Sequence, residues 1–329
     1  MRSAPLEVAA WLDDGQSALE RACAGIEGVH LTPVTDEAAL QAVLGRSEVL
    51  VMNGVHYGAS LAGALARGDH SVRWVQFASA GVDPAWRFGF PAHILLTNAA
   101  SAFASTVSEH AMALMLGLAR GLPQSDRLRA GNDWRRERLV PQLVTLEGQT
   151  LVIVGFGAIG RALAKRASVF GMRIVVVARI LVEDHNVADF YSLDRLDDAL
   201  AKADWVALAI ALTPQTRHLI NARALVALPR HARLINVARG GVVDQQALIA
   251  ALASGRLAGA GLDVFEEEPL PTTSALRVMD NVLITPHIGG FGGALVNDRL
   301  ALVIAENIRR YCRGETLHHR VDFEAGSAS

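Results

Sequence analysis

Short apolar runs alternate with helical patterns along most of the chain, and this alternation limits the fold more than any other feature. The runs are rich in Val, Ile and Leu and lack the polar alternation of half-exposed strands. They predict strands at residues 7–12, 49–53, 72–77, 93–97, 150–154, 173–178, 205–210, 233–237, 258–263 and 282–285. Strand–helix alternation with continuous apolar strands is typical of parallel sheets covered by helices on both faces. The predicted fold class is therefore α/β.

Helical patterns fill the intervals between these strands. They cover residues 17–24, 37–44, 59–66, 159–170, 193–201, 222–227 and 245–254. Two longer helices, at 105–119 and 294–312, fall outside this rhythm, and the stretch 121–149 is expected to be irregular. We interpret the two long helices as connections between two α/β domains. One domain would contain residues 1–104 and 294–329, and the other residues 105–293.

Composition excludes several classes of protein. The 329 residues are 51% hydrophobic and 19% charged, so the chain can build packed cores and is not of a disordered type. The formal net charge of -2 provides no basic excess for nucleic acid, and only 5% of residues are aromatic. The two cysteines, Cys23 and Cys312, are expected to be reduced thiols, and no cluster of Cys and His predicts a metal site.

The N-terminal segment and the most apolar helix bear on location. Glu7, Asp13 and Asp14 interrupt any apolar stretch that could act as a signal peptide. The most apolar part of the first long helix, residues 111–119, is shorter than a membrane span requires. From these features we expect a cytoplasmic protein without a membrane partner.

A glycine-rich turn follows the strand predicted at 150–154. Gly155, Gly157 and Gly160 form the pattern G-x-G-x-x-G and lead directly into a helix. In a dinucleotide site the first glycine permits a tight turn, the second admits a pyrophosphate and the third lets helix and strand pack closely. The helix start at Ala158 and Ile159 offers free N–H groups to the phosphates. The alternative is a tight turn without a ligand.

The end of the next strand predicts which dinucleotide is preferred. An acidic residue there would hold the ribose 2′-OH of NAD and repel the 2′-phosphate of NADP. The chain instead has Ala178 followed by Arg179, and an arginine can pair with that phosphate. We therefore expect NADP, with NAD possible. The alternative is that Arg179 is an ordinary surface residue.

Three further strand ends carry polar side chains. Arg239 follows one strand, the acidic run 266–268 follows another, and His287 follows a third. Each has a plain alternative: a surface cation, a solvated acidic run, a loop histidine. Because carboxyl ends of parallel strands share one sheet edge, where ligands bind, the three are predicted to meet at a site.

The motifs around these residues resemble the D-isomer-specific 2-hydroxyacid dehydrogenase family. The matching stretches are GFGAIG from Gly155, NVARGGVVD from Asn236, GLDVFEEEPLP from Gly261, TPHIGG from Thr285, ASAGVD from Ala78, TVSEHAMALML from Thr106 and LTPQTRHLI from Leu212. They cover most of residues 78–290 in the family's order. The resemblance implies a Rossmann dinucleotide-binding domain inserted into a flavodoxin-like substrate domain, and an association into homodimers.

The resemblance also implies roles for individual residues. Arg239, Glu268 and His287 correspond to the family's catalytic set, with Glu268 chosen among the three glutamates because it precedes proline. The backbone N–H groups of Ala80 and Gly81, together with Arg239, are expected to bind the substrate carboxylate. Besides the glycine-rich turn and Arg179, the cofactor contacts are expected at Thr106, Ile210, Ala211, Val237, Ala238, Asp263 and Gly289. The segment 209–211 lacks the His and Pro often found there.

The expected activity is NADPH-dependent reduction of a small 2-oxo acid to a D-2-hydroxy acid, with glyoxylate and hydroxypyruvate as the substrate class. In that reaction His287 donates the proton, Glu268 orients the imidazole, and Arg239 polarises the carbonyl. Two alternatives stay open. The same fold also serves as a dinucleotide-sensing binding protein, and as a dehydrogenase of another small anion such as formate or phosphite.

Overall fold

The structure is a computed structural model that describes residues 4–180, 183–322 and 327–328. The chain divides into two compact units. The first unit contains Met1–Phe103 and Phe291–Ser329, and the second unit contains Ala104–Gly290. The borders thus lie after 103 and 290, compared with 104 and 293 in the division expected from the sequence.

The strands form two main sheets and a short hairpin. In chain order they are β1 (Leu6–Trp11), β2 (Val29–Pro33), β3 (Val49–Met52), β4 (Trp74–Phe77), β5 (Leu95–Thr97), β6 (Thr150–Val154), β7 (Arg173–Val177), β8 (Asp189–Tyr191), β9 (Trp205–Leu208), β10 (Arg233–Asn236), β11 (Gly259–Leu262), β12 (Val282–Ile284), β13 (Val321–Asp322) and β14 (Ser327–Ala328). The last two pair antiparallel, whereas every pair in the two main sheets is parallel.

Helices connect the strands of both sheets. They are α1 (Gln16–Cys23), α2 (Glu37–Leu44), α3 (Ala59–Arg67), α4 (Asp83–Phe88), α5 (Ala100–Ala119), α6 (Leu122–Ala130), α7 (Ala158–Val169), α8 (Leu196–Leu200), α9 (Ala222–Ala227), α10 (Gln245–Ala253) and α11 (Ala294–Arg313). Single 3₁₀ turns occur at Gly54–His56, Arg136–Arg138, Val140–Gln142, Leu193–Arg195, Gly240–Val242 and Ala275–Arg277.

The order of the strands identifies the two sheet types. In the first unit the five strands run β2-β1-β3-β4-β5, which is the flavodoxin-like order. In the second unit the seven strands run β12-β11-β10-β9-β6-β7-β8. Counted from β6, the six strands β6–β11 follow the Rossmann order, and β12 extends that sheet beside β11. The predicted α/β class with two parallel sheets is confirmed.

Both faces of the first sheet are covered, as the apolar strands predict. On β3, Val49 and Val51 join an apolar cluster that includes residues of α1 and α11. Leu50 and Met52 point the other way, into a cluster that includes residues of α2 and α3. Successive side chains of a strand point to opposite faces, so an apolar run fills two cores at once. In the second unit, strands β6, β7 and β9 contribute to a core that α8, α9 and α10 cover.

Besides the short hairpin of β13 and β14, four elements were missed by the sequence patterns. Strands β2 and β8 lie at sheet edges, and their residues are half-buried or exposed apart from Tyr191. Helix α4 is only 6 residues long, and α6 buries none of its residues. The irregular conformation expected for 121–149 is therefore wrong at Leu122–Ala130. Without an apolar stripe, neither periodicity of 2 nor of 3.6 can be detected.

Helix α5 is longer than the sequence pattern suggested. It begins at Ala100 and spans 20 residues, so the whole helix, unlike residues 111–119 alone, is long enough to cross a membrane. By length and composition it is the one helix in the described part of the chain that could span a membrane. Within the protein, 56% of an 18-residue apolar stretch of this helix is buried. A buried core helix has the same length and composition, so this feature is weak evidence for a membrane span.

Candidate active site

Neighbouring strands of the second sheet carry the three predicted catalytic residues at their carboxyl ends. Strands β10, β11 and β12 lie side by side. Arg239 lies three residues beyond the end of β10, Glu268 follows β11 after a short loop, and His287 lies three residues beyond β12. All three belong to one edge of a parallel sheet, the edge where such folds bind ligands.

His287 and Glu268 are directly bonded to each other. Nδ1 of His287 lies 2.7 Å from Oε2 of Glu268, and the two side chains are 46% and 34% exposed. The other carboxylate oxygen, Oε1, accepts a hydrogen bond of 2.9 Å from the backbone N–H of Phe265. Both oxygens of Glu268 are thus engaged, which fixes the carboxylate and the imidazole. Among the described residues no partner is found for Nε2 of His287, so this nitrogen can serve a ligand.

The backbone of His287 has an uncommon conformation. Its φ is 54°, in the left-handed region that few residues other than glycine adopt. Its N–H donates to the carbonyl oxygens of Asp263 at 2.8 Å and Thr285 at 3.1 Å. A left-handed conformation of this kind costs about 1–3 kcal/mol and persists where surrounding contacts determine it. These two bonds belong to such a set of contacts.

Asp263 is the centre of that set. The residue is 2% exposed, and its carboxylate accepts from the hydroxyl of Thr285 at 2.6 Å and from the N–H groups of Ile288 and Gly289 at 2.9 Å each. His110 contributes a contact of 3.3 Å from Nε2 to Oδ1. Burial alone would raise the pKa of this carboxyl, but the hydrogen bonds outweigh it and lower the pKa to about 2. The loop that carries His287 is therefore folded around a buried carboxylate that stays ionised.

Arg239 is held by its own short loop. The side chain of Asn236, which is 1% exposed, donates to the carbonyl oxygen of Arg239 at 3.0 Å and accepts from the N–H of Ala238. Arg239 itself is half-buried, and its Nη1 donates to the carbonyl oxygen of Ala238 at 2.7 Å. At the following position, Gly240, a Cβ would lie 1.8 Å from the carbonyl carbon of Phe265. The backbone after Arg239 therefore packs against the acidic loop, with no room for a side chain.

The three consecutive glutamates of the acidic loop differ in their contacts. Glu268 pairs with His287, whereas Glu266 pairs with His218, whose Nε2 lies 2.7 Å from Oε1 of Glu266. Glu267 is exposed, and the described part of the chain provides no partner for it. The position before proline, which the sequence motif favoured, is thus the one that faces His287.

The glycine-rich turn has the geometry that a dinucleotide needs. Gly155 has a φ of 98°, and a Cβ there would lie 2.5 Å from the carbonyl oxygen of Ala209. At Gly160 a Cβ would lie 2.1 Å from the carbonyl oxygen of Gly155, so the helix packs on the turn. At Gly157 a Cβ would meet nothing within 4 Å, and this residue precedes α7 as an N-cap without a side-chain hydrogen bond. An uncapped helix start of this kind, at Ala158 and Ile159, is able to accept a phosphate group.

The remaining predicted cofactor residues all lie in the second unit. Val237 and Ala238 are buried behind Arg239, and Gly289 is bonded to Asp263. Ile210 adjoins the glycine-rich turn, since its Cα would lie 2.8 Å from a Cβ on Gly155. The others are Ala211, whose carbonyl oxygen accepts from Thr216, the exposed Arg179 after β7, and the half-buried Thr106 on α5. Arg179 and the glycine-rich turn follow neighbouring strands, β7 and β6.

The predicted carboxylate loop lies in the first unit. Ala80 and Gly81 follow β4 at its carboxyl end, and both are half-buried. The hydroxyl of Ser79 donates to the carbonyl oxygen of Gly81 at 2.8 Å, which fixes the turn. Within residues 4–180, 183–322 and 327–328, neither amide N–H donates to a protein acceptor. Two such groups can bind an anion.

Three residues that the motifs contained received no role from the sequence. His110 and Thr285 contact Asp263, and Asn236 shapes the loop of Arg239. A polar residue at the last position of an apolar strand was a usable signal for Asn236. His110 could have been noticed as a titratable side chain on an otherwise apolar helix. No group of three or more His, Cys, Asp and Glu side chains able to hold a metal occurs in the part of the chain that the structure describes.

Comparison with known proteins identifies the family. Residues 112–289 match the family model of the D-isomer-specific 2-hydroxyacid dehydrogenase, NAD-binding domain. A glyoxylate reductase of Pyrococcus horikoshii is 39% identical over 229 residues, which are 68% of this chain and 67% of that protein. A D-3-phosphoglycerate dehydrogenase of Methanocaldococcus jannaschii is 36% identical over 232 residues, which are 70% of this chain but only 43% of that protein.

Solved structures with a similar fold cover almost the whole chain. A D-isomer-specific 2-hydroxyacid dehydrogenase from Xanthobacter autotrophicus Py2, in complex with NADPH and MES, superposes with a TM-score of 0.83 at 30% identity, covering 98% of this chain and 100% of that one. An NADPH-dependent glyoxylate/hydroxypyruvate reductase from Sinorhizobium meliloti, in complex with NADP and sulfate, also has a TM-score of 0.83, at 26% identity and with coverages of 98% and 99%. The resemblance drawn from the motifs is confirmed, and the chain belongs to the D-isomer-specific 2-hydroxyacid dehydrogenase family.

Proposed function

We propose that this enzyme reduces a small 2-oxo acid, of the glyoxylate or hydroxypyruvate class, to the corresponding D-2-hydroxy acid with NADPH, and that His287 donates the proton. The observation that carries the proposal is the 2.7 Å contact between Nδ1 of His287 and Glu268, which leaves Nε2 without a partner among the described residues. A protonated imidazole held in this way presents one N–H for transfer.

The residues of the site supply complementary functions. When bound, the reduced dinucleotide supplies a hydride to the keto carbon. Nε2 of His287 delivers the proton to the developing alkoxide, while the Glu268 carboxylate accepts from Nδ1 and stabilises the imidazolium. Arg239, a planar cation that stays charged, polarises the carbonyl and binds the carboxylate side of the substrate. The amide N–H groups of Ala80 and Gly81 are our proposed donors to the substrate carboxylate.

The NADP preference rests on the end of β7. Gly155, Gly157 and Gly160, with the start of α7, would hold the pyrophosphate, and Asp263 and the backbone of Val237 and Ala238 are proposed to contact the nicotinamide half. At the end of β7 stands Ala178, which has no carboxylate to bind the ribose hydroxyls, and the exposed Arg179 follows it. A hydrogen bond to a charged group contributes about 1.5–3 kcal/mol, so Arg179 would favour NADPH about tenfold to a hundredfold.

A substrate panel with both cofactors tests the reaction. Purified protein is mixed with glyoxylate, hydroxypyruvate and other 2-oxo acids, and the loss of absorbance of NADPH or NADH is followed. We expect turnover with at least one 2-oxo acid and a higher kcat/KM with NADPH. Oxidation of formate or phosphite without any reduction of 2-oxo acids would contradict the proposed substrate class. Tight NADPH binding without turnover would favour the dinucleotide-sensing alternative.

A double substitution tests the cofactor assignment. Ala178→Asp with Arg179→Ile restores the acid and removes the cation, so it should reverse the preference between NADPH and NADH. The comparison is kcat/KM with each cofactor at equal salt, with Arg223→Ile as a control that removes an exposed cation elsewhere in the second unit. A wild type that prefers NADH, or a double variant with unchanged preference, would show that another residue determines the choice between the two cofactors.

The assembly and the location of the enzyme are also proposals. A homodimer is expected from the family resemblance, and light scattering on the purified protein tests it. We also propose a cytoplasmic location, which cell fractionation tests.

A further inference from the structure

His110 lies on α5 and faces the buried carboxylate behind the catalytic histidine. Most residues around it on the helix are apolar and buried, including Ala111, Met112, Leu114 and Met115. The imidazole is only 17% exposed. Its Nε2 lies 2.8 Å from the hydroxyl oxygen of Thr285 and 3.3 Å from Oδ1 of Asp263. A titratable side chain on a core helix has therefore been placed against the loop that carries His287.

The direction of these hydrogen bonds follows from the number of protons available. Thr285 has one hydroxyl proton and donates it to Oδ1 of Asp263 at 2.6 Å. An ionised carboxylate can only accept, so the hydroxyl proton of Thr285 is used in that bond. Nε2 of His110 must therefore donate the proton in its own contact with the Thr285 oxygen. His110 is therefore a donor to a hydroxyl whose own proton is already committed to Asp263. The three side chains form one chain of donors that ends on the carboxylate.

This carboxylate determines the conformation of the His287 loop. It accepts the N–H groups of Ile288 and Gly289, and the carbonyl oxygen of Asp263 accepts the N–H of His287. The backbone at Gly289 packs too closely on these groups to accept a side chain. A Cβ on Gly289 would lie 2.9 Å from Oδ2 of Asp263 and 3.2 Å from the ring of His110. The left-handed backbone of His287 is thus supported by contacts that His110 completes.

We propose that His110 is a positioning residue: through Thr285 and Asp263 it holds the His287 loop in the conformation that keeps Nδ1 on Glu268 and Nε2 free for substrate. The inference rests on the proposed function, since it assigns His110 a role in the same proton transfer. His110 itself does not touch the reacting atoms in this account. Its removal frees the hydroxyl of Thr285 to rotate and withdraws one donor from Asp263, so the strained loop spends less time in the productive conformation.

Two substitutions at His110 separate positioning from general stability. His110→Leu removes the donor and fills its place with an apolar side chain. His110→Gln retains an N–H at a similar distance from the helix. His231→Leu is the control, because His231 also pairs with an aspartate, Asp204, at 2.7 Å, but at the amino-terminal edge of the same sheet. For each protein we would measure kcat, the KM of the 2-oxo acid, the Kd of NADPH and amide hydrogen exchange in residues 285–290.

We expect His110→Leu to lower kcat on the order of tenfold, the size of one hydrogen bond in a charged network, with the Kd of NADPH within about twofold of wild type. Exchange at Ile288 and Gly289 should become faster. His110→Gln should recover most of both properties, and His231→Leu should change neither. A His110→Leu enzyme with wild-type kcat and exchange would overturn the inference, and so would a His110→Gln enzyme that resembles His110→Leu.

The exchange measurement separates this inference from the proposed function. If the wild type reduces no 2-oxo acid, the proposed function fails, and amide exchange alone decides whether His110 supports the loop. Faster exchange confined to residues 285–290 in His110→Leu, with recovery in His110→Gln, supports the inference. Unchanged exchange in both variants overturns it.

Discussion

The acidic loop after β11 takes part in two histidine–glutamate pairs that are nearly alike in geometry. His287 lies 2.7 Å from Glu268, and His218 lies 2.7 Å from Glu266. Both histidines have left-handed backbones, with φ of 54° and 50°, and their side chains are 46% and 37% exposed. Distance, exposure and backbone conformation therefore do not distinguish the pair that we propose to be catalytic from the other pair.

The pairs differ in which imidazole nitrogen is used. His287 binds its glutamate through Nδ1, so the nitrogen farther from the backbone, Nε2, is available to a ligand. His218 binds Glu266 through Nε2 and leaves only the nitrogen next to its own backbone. The N–H of His218 also donates to the carbonyl oxygen of Gly241, which fastens it to the backbone beyond Arg239. A carboxylate can orient a proton donor or fasten a loop, and the nitrogen that it occupies decides between the two.

Replacing each histidine with asparagine should produce the largest difference in kcat between the two pairs. Asparagine also tolerates a left-handed backbone but cannot transfer a proton as an acid, so the loops are kept while the chemistry is removed. His287→Asn should lower kcat for 2-oxo acid reduction by about two to four orders of magnitude, the usual contribution of a general acid. His218→Asn should lower it less than about fivefold. Steady-state kinetics with NADPH measures both, and equal losses would remove the distinction.

Arg239 provides a second test of the comparison between the two pairs. Its loop packs against the backbone of the acidic loop that carries both glutamates. Lysine keeps the positive charge but loses the planar, two-pronged contact, so Arg239→Lys should lower kcat/KM about tenfold to a hundredfold. Both a higher KM and a lower kcat are expected, because the proposed contact of Arg239 is made in the ground state and in the transition state. Arg223→Lys is the control, since Arg223 is an exposed partner of Asp197 in the same unit. A change in NADPH affinity alone would instead assign Arg239 to the cofactor.

A smaller effect is expected on stability, because the His287 loop is built around Asp263. Burial raises the pKa of that carboxyl, but its hydrogen bonds outweigh burial and lower the pKa to about 2, below the ordinary value of about 3.9. A depressed pKa contributes stability that is present above about pH 4 and is lost as the pH falls toward 2. Asp263→Asn should therefore lower Tm by about 3–10 °C at pH 7. The difference should narrow below about pH 4 in thermal scans, and a difference independent of pH would refute the assignment.

The sequence predicted the layers of this fold because apolar strands that are buried on both faces leave an unmistakable pattern. The same reasoning failed at β2, β8 and α6, whose residues are half-buried or exposed apart from Tyr191, so no apolar pattern separates them from loops. The predicted site residues follow adjacent strands, which parallel topology makes foreseeable. The contact of His110 with Thr285 joins residues 175 positions apart and depends on how a helix packs on a loop, which no local pattern encodes.

The central claim is that His287 and Glu268 act as one unit, and a double-mutant cycle on kcat/KM tests it most directly. The four enzymes are the wild type, Glu268→Gln, His287→Asn and the double variant, each assayed with NADPH and the best 2-oxo acid. If Glu268 acts through the imidazole, Glu268→Gln should lower kcat/KM about tenfold when His287 is present and leave it within about twofold when His287 is replaced, a coupling of about 1.4 kcal/mol. Equal losses in the two backgrounds would contradict the account, because Glu268 would then contribute independently of His287.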